Sequence, residues 1–112
     1  MDIVKSDVVL CKFYFSDSKQ SKLRPVIVYK DNLPFNDFIG IPISSQIENL
    51  KEDEFVITDN DFLSGNIPKS SKVMVRKPFA ISKSVIVKKY GTLNTQTFTQ
   101  VQNIFCKYFS CK

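Results

Sequence analysis

With 112 residues, 43% of them hydrophobic and 24% charged, the chain has the size and composition of one folded domain, which excludes intrinsic disorder. No apolar run approaches the roughly 20 residues of a membrane-spanning helix, and MDIVKSDVVLCKFYF lacks a signal peptide's apolar block, so an intracellular protein is expected. The net charge of +5 is unevenly divided: residues 1–61 hold seven basic and all eleven acidic side chains, residues 62–112 nine basic and no acidic ones, which points to a polyanion or an acidic protein as partner.

Asp7 to Phe15 (DVVLCKFYF), rich in β-branched and aromatic residues, reads as a strand. Ser16 to Lys22 is a polar loop, and Pro25 to Tyr29 (PVIVY) is a continuous apolar run expected as a buried strand entered through proline. Asp31 to Asn36 forms a second loop before a third strand, Phe38 to Ser44 (FIGIPIS). An acidic, irregular stretch from Gln46 to Glu54 precedes a short strand, Phe55 to Thr58. Asp59 or Asp61 is then placed to cap one helical turn before Ser64-Gly65. Lys72 to Lys77 (KVMVRK) alternates as a strand, and Val85 to Tyr90 (VIVKKY) is another, ending at Gly91.

The period then changes. Phe98, Val101, Ile104, Phe105 and Tyr108 recur at steps of three and four, which predicts an amphipathic helix from Thr95 with Asn94 as its N-cap. Lys107 suits the negative end of that helix. Five or six short strands followed by one helix make a single mainly β domain with α over residues 1–112, a bent antiparallel sheet or small barrel sealed by the C-terminal helix.

Most catalytic schemes lack their parts. With no His there is no Ser–His–Asp or Cys–His arrangement, and three scattered Gly cannot build a phosphate loop. Cys11, Cys106 and Cys111, odd in number and without paired spacing, are a poor disulfide framework, and without His a poor zinc set. Asp17, Asp31 and Asp37 sit in turn contexts, where Asp bonds its own backbone rather than a metal. Two polar clusters remain. Lys22-Leu23-Arg24-Pro25 joins a polar loop to a buried strand, so that Arg24 is held stiffly at the mouth of the barrel, as a phosphate-binding guanidinium must be. Ser44-Ser45-Gln46 ends the third strand.

Taken together, DVVLCKFYFSD, KLRPVIVYKDN and FIGIPISSQ resemble the first half of MazF/PemK-family toxins, in which an Arg-Pro-Val-hydrophobic-Val strand is followed by a Pro-hydrophobic-Thr/Ser-Ser/Ala segment. The second half is similar more loosely: a Val-x-Val strand, Ile81, then Tyr90-Gly91-Thr92-Leu93 leading into the last helix. The resemblance implies a small SH3-like barrel of the CcdB/PemK type sealed by a C-terminal helix, usually a homodimer. It also implies a toxin that cuts single-stranded RNA without metal or cofactor, leaving a 2′,3′-cyclic phosphate and a 5′-OH. The family's catalytic arginine matches Arg24 and its catalytic Thr or Ser matches Ser44. Where the family often carries Glu or Gln before the Ile81 region, this chain has Arg76-Lys77-Pro78.

Around that pair, Lys19, Lys22, Arg76 and Lys77 are candidates to follow the RNA backbone, and Asp17, Gln20, Ser45 and Gln46 to contact phosphate or unpaired bases. The implied protein partner is a cognate antitoxin with an acidic tail, through which alone DNA would be contacted; no membrane is implied. Two other readings fit the same fold: a gyrase poison like CcdB, which would not need the Arg24/Ser44 pair, and an inactive nucleic-acid or antitoxin-binding module.

Overall fold

The computed structural model describes residues 2–14 and 20–111. Among them one eight-stranded antiparallel sheet curls on itself and carries a single α-helix. The strands are β1 (Asp7–Tyr14), β2 (Ser21–Leu33), β3 (Asp37–Ser44), β4 (Phe55–Ile57), β5 (Phe62–Gly65), β6 (Ser71–Val73), β7 (Phe79–Ser82) and β8 (Ile86–Leu93), followed by α1 (Thr95–Phe109). The sheet order is β4-β6-β3-β2-β1-β8-β5, and β7 also pairs with β3. One edge of β3 is thus shared: its first half (Asp37–Gly40) pairs with β7 and its last two residues (Ile43 and Ser44) with β6. No helix among the described residues is long and apolar enough to cross a membrane.

The apolar run PVIVY is explained by burial on both faces. Val26 and Val28 point to one face of the sheet with Val9, Cys11, Phe38 and Ile81. Ile27 points to the opposite face, with Val8, Ile41, Ile43 and Val73, where α1 covers it with Phe98 and Val101. Tyr29 stacks on Phe105 with ring centroids 4.1 Å apart, and its tilted contact with Phe98 is at 5.7 Å. The helical stripe read from the sequence is therefore core. Asn94 caps α1 by accepting the Thr97 backbone N–H at 2.8 Å.

Several local expectations are corrected. β2 runs for 13 residues and absorbs Ser21 and Lys22 from the expected first loop and Asp31 to Leu33 from the second. The turn at Asp59–Asp61 is a 3-10 turn capped by Thr58, whose hydroxyl accepts from Asn60 N–H while the Asp61 carboxylate accepts from Thr58 N–H. Either aspartate satisfied the sequence pattern; the reciprocal bond decides for Thr58. The strand expected over Lys72 to Lys77 stops at Val73, because the chain turns at Val75 and Arg76 before Pro78 and re-enters the sheet as β7.

Gly91 does not end β8. The strand passes through it because β5 crosses there so closely that a Cβ on Gly91 would strike the Ser64 carbonyl and lie 2.9 Å from Gly65 Cα. Cys106 and Cys111 form a disulfide across the left-handed turn at Ser110, against the expectation of unpaired cysteines. The bridge spans five residues at the helix terminus, a local clip that spacing rules for long disulfide frameworks do not cover.

Candidate active site

Arg24 and Ser44 are placed by β2 and β3, which pair with each other through buried residues. Arg24 lies two residues before Val26, which is fully buried, and across β1 it pairs with Cys11. Ser44 follows Ile43, buried in the core beneath α1. The β2–β3 register pairs Val26 with Pro42, so the two strands reach Arg24 and Ser44 after equal steps of two residues. Both side chains then border the same two adjoining cavities, of about 430 and 460 Å³.

The first cavity is also lined by Lys22, Ser45, Gln46, Lys69 and Tyr90, and the second by Phe13, Gln46, Lys72 and Phe79. Among the described residues no carboxylate lines either one, so the electrostatics favour an anion. Arg24 is exposed and Ser44 half-buried. The Ser44 oxygen accepts the Gln46 backbone N–H at 3.1 Å, which orients the hydroxyl and leaves its own proton to donate. A fork of guanidinium donors beside an oriented hydroxyl suits the non-bridging oxygens of a phosphodiester.

The other sequence candidates divide. Lys22, Ser45 and Gln46 line the cavities, whereas Gln20 lies exposed before β2 and lines neither. Arg76 and Lys77 are not on a neighbouring strand, as expected, but in and just after the turn that follows β6, and they line neither cavity. The Arg76 Nε donates to the Asp53 carboxylate at 2.6 Å, with the Arg76 side chain 41% and the Asp53 side chain 4% exposed, which ties the base of the guanidinium to the acidic segment. Lys19 and Asp17 lie outside the described residues.

Sequence reasoning missed Lys69, Lys72 and Tyr90. Lys69 and Lys72 belong to the basic half of the chain, but the loop and cross-strand contacts that bring them to Arg24 leave no local pattern. Beside half-buried Tyr90 lie two cation–aromatic pairs: Lys88 Nζ is 5.1 Å from the Tyr90 ring centroid and Lys12 Nζ is 5.7 Å from that of Tyr14. The β1 register sets Lys88 level with Leu10 and Lys12 level with Leu23, and Leu23 and Tyr90 both line the first cavity, so the two pairs lie near it.

A family model of PemK-like, MazF-like toxins of type II toxin–antitoxin systems matches residues 5–109. The chain belongs to that family. Solved toxins share its fold throughout. A MazE–MazF complex from Deinococcus radiodurans aligns with a TM-score of 0.77 at 13% identity, covering 98% of this chain and 97% of that one. An endoribonuclease in complex with its cognate antitoxin, from a mycobacterial species, aligns with a TM-score of 0.75 at 10% identity, covering 99% and 98%. The toxin MazF-mt6 of Mycobacterium tuberculosis aligns with a TM-score of 0.65 at 15% identity, covering 93% and 98%. Comparison with curated protein sequences gives no match. For this PemK/MazF-like chain the likeness to solved structures thus establishes the half-barrel and its C-terminal helix.

Proposed function

We propose that this toxin is a metal-independent endoribonuclease that cuts single-stranded RNA. The observation that carries the reading is that Arg24 and Ser44, 20 residues apart in sequence, border the same pair of cavities with no carboxylate in the lining. An RNA 2′-OH can attack its own phosphate, so the chain need supply no nucleophile; it must align the attack and stabilise the charge that develops. As the 2′-O–P bond forms, the hydroxyl gives its proton to water, and negative charge builds on the non-bridging oxygens. Arg24 binds that charge through paired N–H donors. Ser44 donates its hydroxyl to one of the same oxygens. The P–O5′ bond then breaks and the leaving oxygen takes a proton from water, or from Arg24, which recovers it from the hydronium formed in the first step. The products are a 2′,3′-cyclic phosphate and a 5′-OH.

Lys22 and Lys69 at the first cavity hold the flanking backbone, and Tyr90, Lys88, Lys12 and Tyr14 carry neighbouring nucleotides by stacking and charge. Ser45 and Gln46 contact the nucleotide at the cut. The acidic tail of a cognate antitoxin would occupy this anion-seeking groove and block it, in a homodimeric toxin that meets DNA only through that antitoxin. The complexes solved for the Deinococcus and mycobacterial neighbours support an antitoxin partner.

The test is to incubate the pure protein with long single-stranded RNA in EDTA and map the ends. Cleavage with cyclic-phosphate ends, lost in both Arg24→Ala and Ser44→Ala, is expected. Intact RNA together with gyrase-dependent DNA breaks would replace this reading with a gyrase poison, and RNA binding without cutting would replace it with a binding module.

A further inference from the structure

Lys72 is the direct cross-strand partner of Ser44, so the two side chains leave the same face of the sheet. It lines the second cavity with Arg24 and Ser44. Its ammonium lies 3.3 Å from the Glu54 carboxylate, and the two side chains are 15% and 4% exposed. A surface ion pair contributes little and needs no such shielding. Here the carboxylate is itself fixed, because Glu54 accepts the Lys51 backbone N–H at 2.9 Å. The result is a cation held at a set position beside the candidate hydroxyl, on β6 where it runs between β3 and β4.

We propose that Lys72 is a second cation at the scissile phosphate, held toward it by Glu54; the inference rests on the nuclease reading of the Arg24/Ser44 site. An ammonium has three donors, so one stays with Glu54 and another reaches a non-bridging oxygen. Lys72 gives up no proton. It offsets charge as the 2′-O–P bond forms and the P–O5′ bond breaks, leaving Arg24 free to serve the leaving-group side. The turn carrying Arg76 shows the contrast: Arg76 also pairs with the acidic segment, through Asp53, but faces neither cavity.

The experiment measures single-turnover cleavage and RNA affinity against salt for the wild type, Lys72→Gln, Lys72→Arg and Glu54→Gln, with a urea melt of each. Lys72→Gln is expected to slow cleavage at saturating enzyme by about 10²-fold, the scale of one lost transition-state contact. It should also flatten the dependence of log affinity on log salt by about 0.7, the value for one phosphate contact on a single strand. Lys72→Arg restores most of the rate. Glu54→Gln breaks the same ion pair but keeps the cation, so it lowers stability while the salt slope stays. If Lys72→Gln and Glu54→Gln lose stability alike and neither changes rate or slope, Lys72 is only a fold contact and the proposal fails alone. A loss of affinity with an unchanged rate at saturation also overturns it, moving Lys72 away from the scissile phosphate. A wild-type protein that neither binds nor cuts RNA removes the nuclease reading itself, and this inference with it.

Discussion

Arg24 and Ser44 stand on adjacent strands, each two residues beyond the paired positions Val26 and Pro42, and border the same pair of cavities. The proposed catalytic pair depends on strand register, because a slip of one residue would turn one of the two side chains to the other face. It depends equally on the hydroxyl itself. Ser44→Ala, which removes a single donor, is expected to lower the single-turnover rate about 10²–10³-fold without lowering the urea midpoint. Ser44→Thr keeps the hydroxyl and stiffens χ1, and its rate should stay near that of wild type. Loss of activity in Thr equal to that in Ala would show that the hydroxyl is not what Ser44 supplies.

Glu54 gives a pH signature to the fold. The Lys51 backbone N–H, and after it Lys72, hold its carboxyl below the ordinary glutamate value, against the opposing effect of burial. A carboxyl held low in the folded state stabilises that state above its unfolded value, and the contribution fades as pH falls through the folded value. Glu54→Gln should therefore be less stable than wild type at pH 7, with the difference closing below about pH 4, where glutamate protonates even when unfolded. Urea melts at the two pH values measure it; an equal deficit at both would contradict the ion pair as the source.

Gly91 is a packing requirement. A Cβ there would press on the Ser64 carbonyl and the Gly65 Cα, both backbone atoms that cannot swing aside. Gly91→Ala should cost about 1–3 kcal/mol, the usual range for overpacking, read from the urea midpoint. A variant as stable as wild type would mean that β5 and β8 leave room for a methyl group between them.

The three cysteines should separate chemically. Cys11 is fully buried, and burial pushes its thiol up to about 11, so at pH 8 it is both shielded and protonated. Cys106 and Cys111 are paired. Native protein should take up no iodoacetamide, two equivalents after reduction, and the third only when unfolded. Labelling of Cys11 in the native state would contradict its burial in the core.

What the sequence disclosed was set by locality. Alternation and helical spacing are short-range signals, and they located β1, the core of β2, most of β3 and α1 with its Asn94 cap. The strands that escaped, β5 and β7, are four residues each and exist because longer neighbours, β8 and β3, pair with them. The same distinction divides the site. Arg24 and Ser44 were legible because Arg24 directly precedes the apolar run of β2, Ser44 ends β3, and both match a family pattern. Lys69, Lys72 and Tyr90 come to that place through long-range pairing, and the pairing of Arg76 with Asp53, 23 residues away, holds that guanidinium outside both cavities.

The chemistry itself is open to one direct test: cleavage of an RNA in which the single nucleotide 5′ to the cut carries hydrogen or O-methyl in place of its 2′-OH. If the RNA supplies its own nucleophile, cutting at that bond disappears while binding and cutting elsewhere persist. Continued cutting at the modified position would mean that water or a side chain attacks the phosphorus, and the roles assigned to Arg24 and Ser44 would be wrong.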